Sequence, residues 1–445
     1  MSTTTAGSDP GNVSRHMAIT AFSYLFVPMA AIVSAPILAN SLGVDGRGEV
    51  AAATAPLMLA VAIFALGLPQ AVVHYVAAQP NIIRYLLRPV LLVQLLTGLT
   101  GTLVVALTSS LLAGSDPNLA SLIGLAGLIL PGTLIVGIFR GLASGLHRWT
   151  LVTIERCLTE FTKLVVFLIL SLMDALTVTS AVLVTALSAV ASGLVYFALL
   201  RNRGTIPAGA ERTIRLKDMF SFGGRIWIGS LSGILLTRIS QVLMTPLASV
   251  SQLGYYVIAV NVSDASLLAN NAVRDVTLAA DSAQQKTARA TMSARCSLLI
   301  SAIVGIVISA TIPLWFIRLF GSDFSPSIPL VIILIIANVV GVPGSVAGAI
   351  LSSRGYPGKR STSLLVAAVT NIILLLILLP ILGAFGAALA TVVGNFIAAN
   401  MNIYFSWRLF KISPLDFYIP RYQDIQFITR KAIRILVSLK GTITR

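Results

Sequence analysis

Long apolar runs recur along the entire chain, each about 18 to 30 residues, the length a helix needs to cross roughly 30 Å of hydrocarbon. Charged residues make up 10% of the 445 residues, 56% are hydrophobic, and the mean hydropathy is +0.93. Soluble domains carry about 25% charge, so this is not a globular chain with one anchor. The first run, near 18–40, is too long for the apolar core of a cleavable signal. It is expected to remain as a spanning helix.

Breaks between the runs predict twelve spans, near 18–40, 49–77, 86–113, 118–145, 149–173, 175–200, 219–247, 252–280, 295–320, 325–353, 360–382 and 384–408. Lysine and arginine in the loops set their direction. The tails and the loops after even-numbered spans hold 23 of these residues, among them Arg15, Arg84, Arg148, Arg201, Lys217, Arg295, Arg354 and Lys359. The loops after odd-numbered spans hold one, Arg47. Both termini are therefore expected on the cytoplasmic side of the membrane. The formal charge of +16 follows from this bias and from attraction to anionic inner-leaflet lipid. It calls for no nucleic-acid partner. Cys157 and Cys296 both fall near cytoplasmic helix ends, which predicts free thiols and no disulfide framework.

The longest internal polar stretch, RNRGTIPAGAERTIRLK, follows the sixth span. It divides the chain into a cytoplasmic N-tail (1–17), an N-lobe of spans one to six (18–200), a linker (201–218), a C-lobe of spans seven to twelve (219–408) and a tail (409–445). Six is even, so both lobes enter the membrane in the same direction. The expected fold is an all-α polytopic membrane protein with two parallel six-helix lobes around a central cavity, an arrangement found in alternating-access transporters. In the tail, Ile425, Ile428, Ala432, Leu436 and Leu439 share one helical face opposite Arg430 and Arg434. That pattern predicts a basic amphipathic helix along the inner leaflet.

Ionised groups inside a membrane cost at least about 2.5–3.5 kcal/mol and mark cavities or partners. The stretch IERCLTEFTK, at 154–163, sets Glu155, Arg156, Glu160 and Lys163 into span five. Folding spans four and five about 147–148 brings Arg140 to the depth of Glu155, predicting a structural ion pair. Glu160 lies within reach of Lys163 on one helical face. Folding spans seven and eight about 249–250 brings Arg225 level with Arg274, and Arg238 level with Asn261, with Asp264 a turn deeper. Paired guanidiniums suit a phosphate or diphosphate. Lys163, Arg225, Arg238 and Arg274 are thus the candidates for a cationic substrate-binding cavity. Asp264 and Glu160 are the candidates for proton or sodium coupling, and no other cofactor or metal is called for.

The segment LANSLGVDGRGEVAAATAPLMLAVAIFALGLPQAVVHYVA, at 38–77, resembles the first hairpin of polysaccharide-biosynthesis flippases, the O-antigen (Wzx-type) branch of the multidrug/oligosaccharidyl-lipid/polysaccharide exporter superfamily. Leu42, Gly43 and Gly48 match its short turn, and ILSSRGYPGKRS at 350–361 is similar to its loop between spans ten and eleven. The resemblance implies outward transport of an undecaprenyl-diphosphate-linked oligosaccharide, with membrane lipid and polysaccharide polymerase or glycosyltransferase machinery as partners. Lipid II flippases and cation-coupled multidrug exporters are the alternatives within that superfamily. The first usually carry arginines in span one and the second acids in spans one or seven. Here span one has no charge, and span seven has Arg225 and Arg238. A membrane polymerase or ligase is the enzyme alternative, but the outer loops, eight residues or fewer each, leave no room for its site. No nucleotide loop or metal-ligand spacing appears. Outward movement of a diphosphate from a negative interior is itself downhill, by about 2.3 kcal/mol per charge per 100 mV.

Overall fold

The computed structural model describes residues 10–201, 215–268, 270–271, 287–426 and 429–430. Every regular element among them is helical. Among the described residues, nine helices are long and apolar enough to cross a membrane on their own, Met29–Phe64 the first and Ala384–Phe410 the last. Three features separate nine from the twelve crossings predicted. Spans one and two run together as Pro10–Phe64, two helices that meet at Gly43, where φ is 68° and ψ is −171°. Span five, Trp149–Leu172, carries the four charges of IERCLTEFTK. Span eight is helical over Val250–Ser263, only 14 residues, before its backbone tightens into a 3₁₀ turn at Asp264–Leu267. The twelve-crossing reading rests on taking those three as spans.

Local chemistry explains where the helices start and stop. Span four begins at Asp116, whose carboxylate accepts from the backbone N–H groups of Asn118 and Leu119 at 2.8 and 3.3 Å, satisfying donors that the first helical turn leaves unpaired. Span two is interrupted at 65–67 and resumes as Leu68–Ala78. Pro69 sits in that new first turn, where a missing N–H costs nothing. Helix continues through Pro36, Pro56 and Pro343.

Lipid is as apolar as leucine, so packing between spans depends on close approach of small side chains. Val50, Ala51, Ala52, Ala53 and Ala55 of span two are buried, and Gly344 of span ten lies against Ala399 of span twelve. The large side chains face the other way. Leu92, Leu96, Leu99, Leu103, Leu107 and Leu111 form an exposed stripe at helical spacing on span three, a surface for acyl chains.

Spans one and two of the first half pack directly on spans seven and eight of the second. At the end bearing the 43–48 turn, Gly48 abuts the Val250 carbonyl and Gly254 abuts the Val44 carbonyl. Ser251 donates to Asp45, and the Asn40 amide donates to the Leu319 carbonyl at 2.8 Å. Toward the other end, Trp227 Nε1 donates to the Ala62 carbonyl at 2.8 Å, and His74 stacks on Phe222 at 4.1 Å. One buried cluster crosses between the halves, joining Ala35 and Leu38 to Tyr256, Val257 and Phe316.

The start of the tail, ahead of the amphipathic pattern, packs on the spans. Ile412 and Phe417 are buried in a cluster with Ala290, Ala294 and Ile403, and Asp424 is locked to Arg295 of span nine. Residues 411–424 therefore dock on protein, through the buried Ile412 and Phe417 and the pair of Asp424 with Arg295. In the amphipathic pattern Ile425 and Arg430 are exposed, whereas Ile428, Ala432, Arg434, Leu436 and Leu439, like the linker 202–214, lie outside the described residues.

Candidate functional site

A cavity of about 540 Å³ opens among spans seven, eight, ten and twelve, with Ala31 and Ile32 of span one on its remaining side. That volume falls within the roughly 300–1,000 Å³ typical of ligand pockets. The walls come from very apolar helices, yet the lining includes Arg238, Asp264, Thr237, Thr391 and five asparagines.

Span eight supplies the acid because its helix breaks there. In the 3₁₀ turn at 264–267, the Ser263 carbonyl is taken by side chains, from Ser266 Oγ at 2.7 Å and Asn338 Nδ2 at 3.1 Å. Asp264 stands at the start of this turn, exposed to the cavity. Arg238 and Asn338 are its electrostatic neighbours. Arg238 and Asp264 form no ion pair with each other. The described ion pairs lie elsewhere, at Arg140–Glu155, Lys163–Glu160, Arg295–Asp424 and Arg421–Asp416.

The asparagines are held by the scaffold. Asn395 Nδ2 donates to the Ala337 carbonyl at 3.0 Å, as Asn338 does to Ser263. The Asn270 carbonyl accepts from Ser297 at 2.9 Å and from Ser345 at 3.2 Å. Asn261 and Asn271 complete the set. Tyr256 is buried, with its hydroxyl 3.2 Å from Thr391. Charge-centred reading passes over neutral amides. Their signal is an amide inside an otherwise apolar span, as in IIANVV and VVGNFI, where burial without a partner is costly.

Of the four bases predicted to form a cationic wall, the structure brings Arg238 to this cavity. Lys163 is not among the lining residues. Its Nζ lies 2.6 Å from Glu160 Oε1 on the same helix, so both charges of that pair are spent locally. Arg225 is exposed and curls along its own helix, donating to the Ser221 carbonyl at 3.1 Å. Arg274 lies outside the described residues. Among the described residues, then, one guanidinium and one carboxylate balance the lining charge. Of the coupling candidates, Asp264 faces the cavity and Glu160 does not.

Arg140 and Glu155 form a bidentate pair, at 2.8 and 3.1 Å, with the Tyr196 hydroxyl donating to Glu155 at 3.3 Å. Glu155 is 2% exposed and Arg140 40%, so this pair joins spans four, five and six away from the cavity. Cys157 and Cys296 are not joined in a disulfide.

The fold is shared with known exporters. A multidrug resistance MATE-family transporter of the MOP superfamily, in its inward-facing conformation, superimposes with a TM-score of 0.67 at 18% identity, covering 87% of this chain and 97% of that one. The lipid II flippase MurJ, in an inward closed conformation, gives 0.63 at 15% identity over 96% and 97%. An outward-facing MATE transporter gives 0.59 at 16% identity over 87% and 95%. At such identities the likeness speaks for the fold alone. No curated protein matches the chain. The family model for polysaccharide biosynthesis proteins matches residues 13–273, more than half of the sequence, and the chain belongs to that family.

Proposed function

We propose that the protein is a flippase that moves a polyprenyl-diphosphate-linked oligosaccharide from the cytoplasmic to the outer leaflet by alternating access. The observation that carries this reading is the cavity itself: a polar, amide-rich chamber set among apolar spans and bounded by both halves of the chain. The family match supports a role in polysaccharide biosynthesis. With the loop bias placing both termini in the cytoplasm, the turns at 43–48 and 248–251 lie on the outer side, where the halves are in backbone contact. The cavity would then load from within and discharge once that contact parts. The two six-span lobes would be the moving bodies, and polysaccharide polymerase or glycosyltransferase machinery the adjoining partners. A lining with balanced charge gives less support to a cation exporter than to a carrier of hydroxyl-rich cargo.

Purified protein in proteoliposomes supplied with a fluorescent undecaprenyl-diphosphate oligosaccharide tests the reading. Leaflet-to-leaflet movement above that of protein-free vesicles is expected. Export of cationic dyes with no movement of any polyprenyl-linked glycan would overturn it.

A further inference from the structure

We infer that this cavity reads the hydroxyl groups of the sugar and leaves the diphosphate to other parts of the path, so that it favours uncharged or amino-bearing sugars over acidic ones. The inference rests on the flippase reading and narrows it to a substrate class.

The lining charge argues first. A diphosphate taken out of water needs an excess of cations around it, and Arg238 stands here beside Asp264 with no second cation among the described lining residues. A sugar needs something else, namely groups that both donate and accept at short intervals without net charge. Each asparagine amide offers two donors and an acceptor oxygen, and five face this chamber from three helices.

Anchoring argues second. Asn338 and Asn395 each spend a donor on a backbone carbonyl, and none of the described hydrogen bonds uses their Oδ1 atoms. Those oxygens are free to accept from hydroxyls. Asn270 is anchored the opposite way. Its Oδ1 accepts from Ser297 and Ser345, leaving its N–H groups to donate. Donors and acceptors are therefore fixed before a ligand arrives, which lowers the ordering cost of binding. Asp264 adds selectivity, since a carboxylate accepts well from hydroxyl or ammonium groups and repels another carboxylate.

The test uses the full-length protein in nanodiscs with a fluorescent neutral glycan on polyprenyl diphosphate as the bound probe. Four competitors are compared: the same glycan on a monophosphate, a uronic-acid analogue on the diphosphate, sugar-free polyprenyl diphosphate, and an amino-sugar form. The monophosphate and amino-sugar forms should compete within about three-fold of the probe, and the sugar-free and acidic forms about ten-fold or more worse, the size of one or two lost hydrogen bonds. Asp264→Asn should narrow the gap between acidic and neutral glycans, and Asn395→Ala should weaken glycan-bearing competitors while leaving sugar-free diphosphate unchanged. The wild-type comparison stands even if a variant misfolds. Equal competition by sugar-free diphosphate would overturn the inference and leave the flippase reading intact. Failure of folded protein to bind any polyprenyl-linked probe would remove the flippase reading itself.

Discussion

Arg295 of span nine and Asp424 of the tail, 129 residues apart in sequence, meet in a two-pronged ion pair at 2.6 and 3.1 Å, with side chains only 4% and 1% exposed. Arg295 also donates to the Asp416 carbonyl at 2.8 Å, and the Arg421 backbone N–H donates to Asp424 at 2.8 Å. Removing one partner of a buried pair typically costs about 3–5 kcal/mol, because a charge is left behind unpaired. Asp424→Ala, or truncation at residue 421, should therefore lower the thermal midpoint in detergent and the amount of inserted protein. Exchanging the two side chains should recover part of the loss. An unchanged midpoint in the truncation would show that the tail is not needed to hold span nine.

The same pair predicts a response to acid. Burial alone would raise the Asp424 carboxyl. The hydrogen bonds from Arg295 and from the Arg421 backbone outweigh it and hold the group below its ordinary value of 3.8. A depressed folded-state value means stability that is fully present above the unfolded value and lost as pH falls through the folded one. Wild-type protein should lose this contribution only below about pH 3.8. Asp424→Asn should be less stable at neutral pH, and its curve should meet the wild-type curve in acid. Parallel curves over the whole range would assign the acid response to other groups.

The Arg140–Glu155–Tyr196 cluster should behave as a unit. Glu155→Gln and Arg140→Ala should each destabilise markedly, whereas Tyr196→Phe should cost only about 0.5–1.5 kcal/mol, the net worth of one hydrogen bond. A double-mutant cycle on Arg140 and Glu155 should show coupling. Additive losses would mean the two side chains act independently.

Gly48 and Gly254 admit no side chain. A methyl at either would strike the carbonyl oxygen of Val250 or of Val44. Gly48→Ala and Gly254→Ala should wedge the two hairpin turns apart and expose the cavity to the outer side. A cysteine at Thr237, on the cavity wall, should then label faster with an impermeant outer reagent. Labelling no faster than in the parent protein would place the barrier elsewhere.

Topology can be read with the same chemistry. Cysteines replacing Gly358 and Ser322, both exposed, should react from the inner and the outer side respectively, with residue 205 behaving like 358. Outer labelling at 205 would invert the loop assignment.

Depth was legible in the sequence, whereas azimuth was not. Counting residues about the 249–250 turn placed Arg238 level with Asn261 and Asp264 one turn deeper, and all three line the cavity. Counting about 147–148 set Arg140 opposite Glu155, now seen 2.8 Å apart. Such counting uses only the fixed rise of a helix. The direction a side chain faces depends on the rotation of each helix against its neighbours, which small residues scattered through the other spans decide. Lys163 and Arg225, by contrast, are not among the residues that line the cavity. The tail illustrates a different limit. Residues 411–424 precede the amphipathic pattern, and nothing in their spacing foretells that Ile412 and Phe417 are buried and that Asp424 meets Arg295. The amides of span ten and span twelve went unread because they carry no charge.

The glycine contact at Gly48 and Gly254 has a further consequence for the cell's energy supply. A carrier in a respiring membrane must also be an insulator, because a continuous file of water through a polar chamber would short-circuit the voltage across the bilayer. Here the Val250 carbonyl lies against Gly48 and the Val44 carbonyl against Gly254, so main chain fills the space at that point that such a file would need. A seal made of main chain also has one height and one shape, so on the flippase reading proposed above each closing would restore the same electrical resistance whatever the cargo.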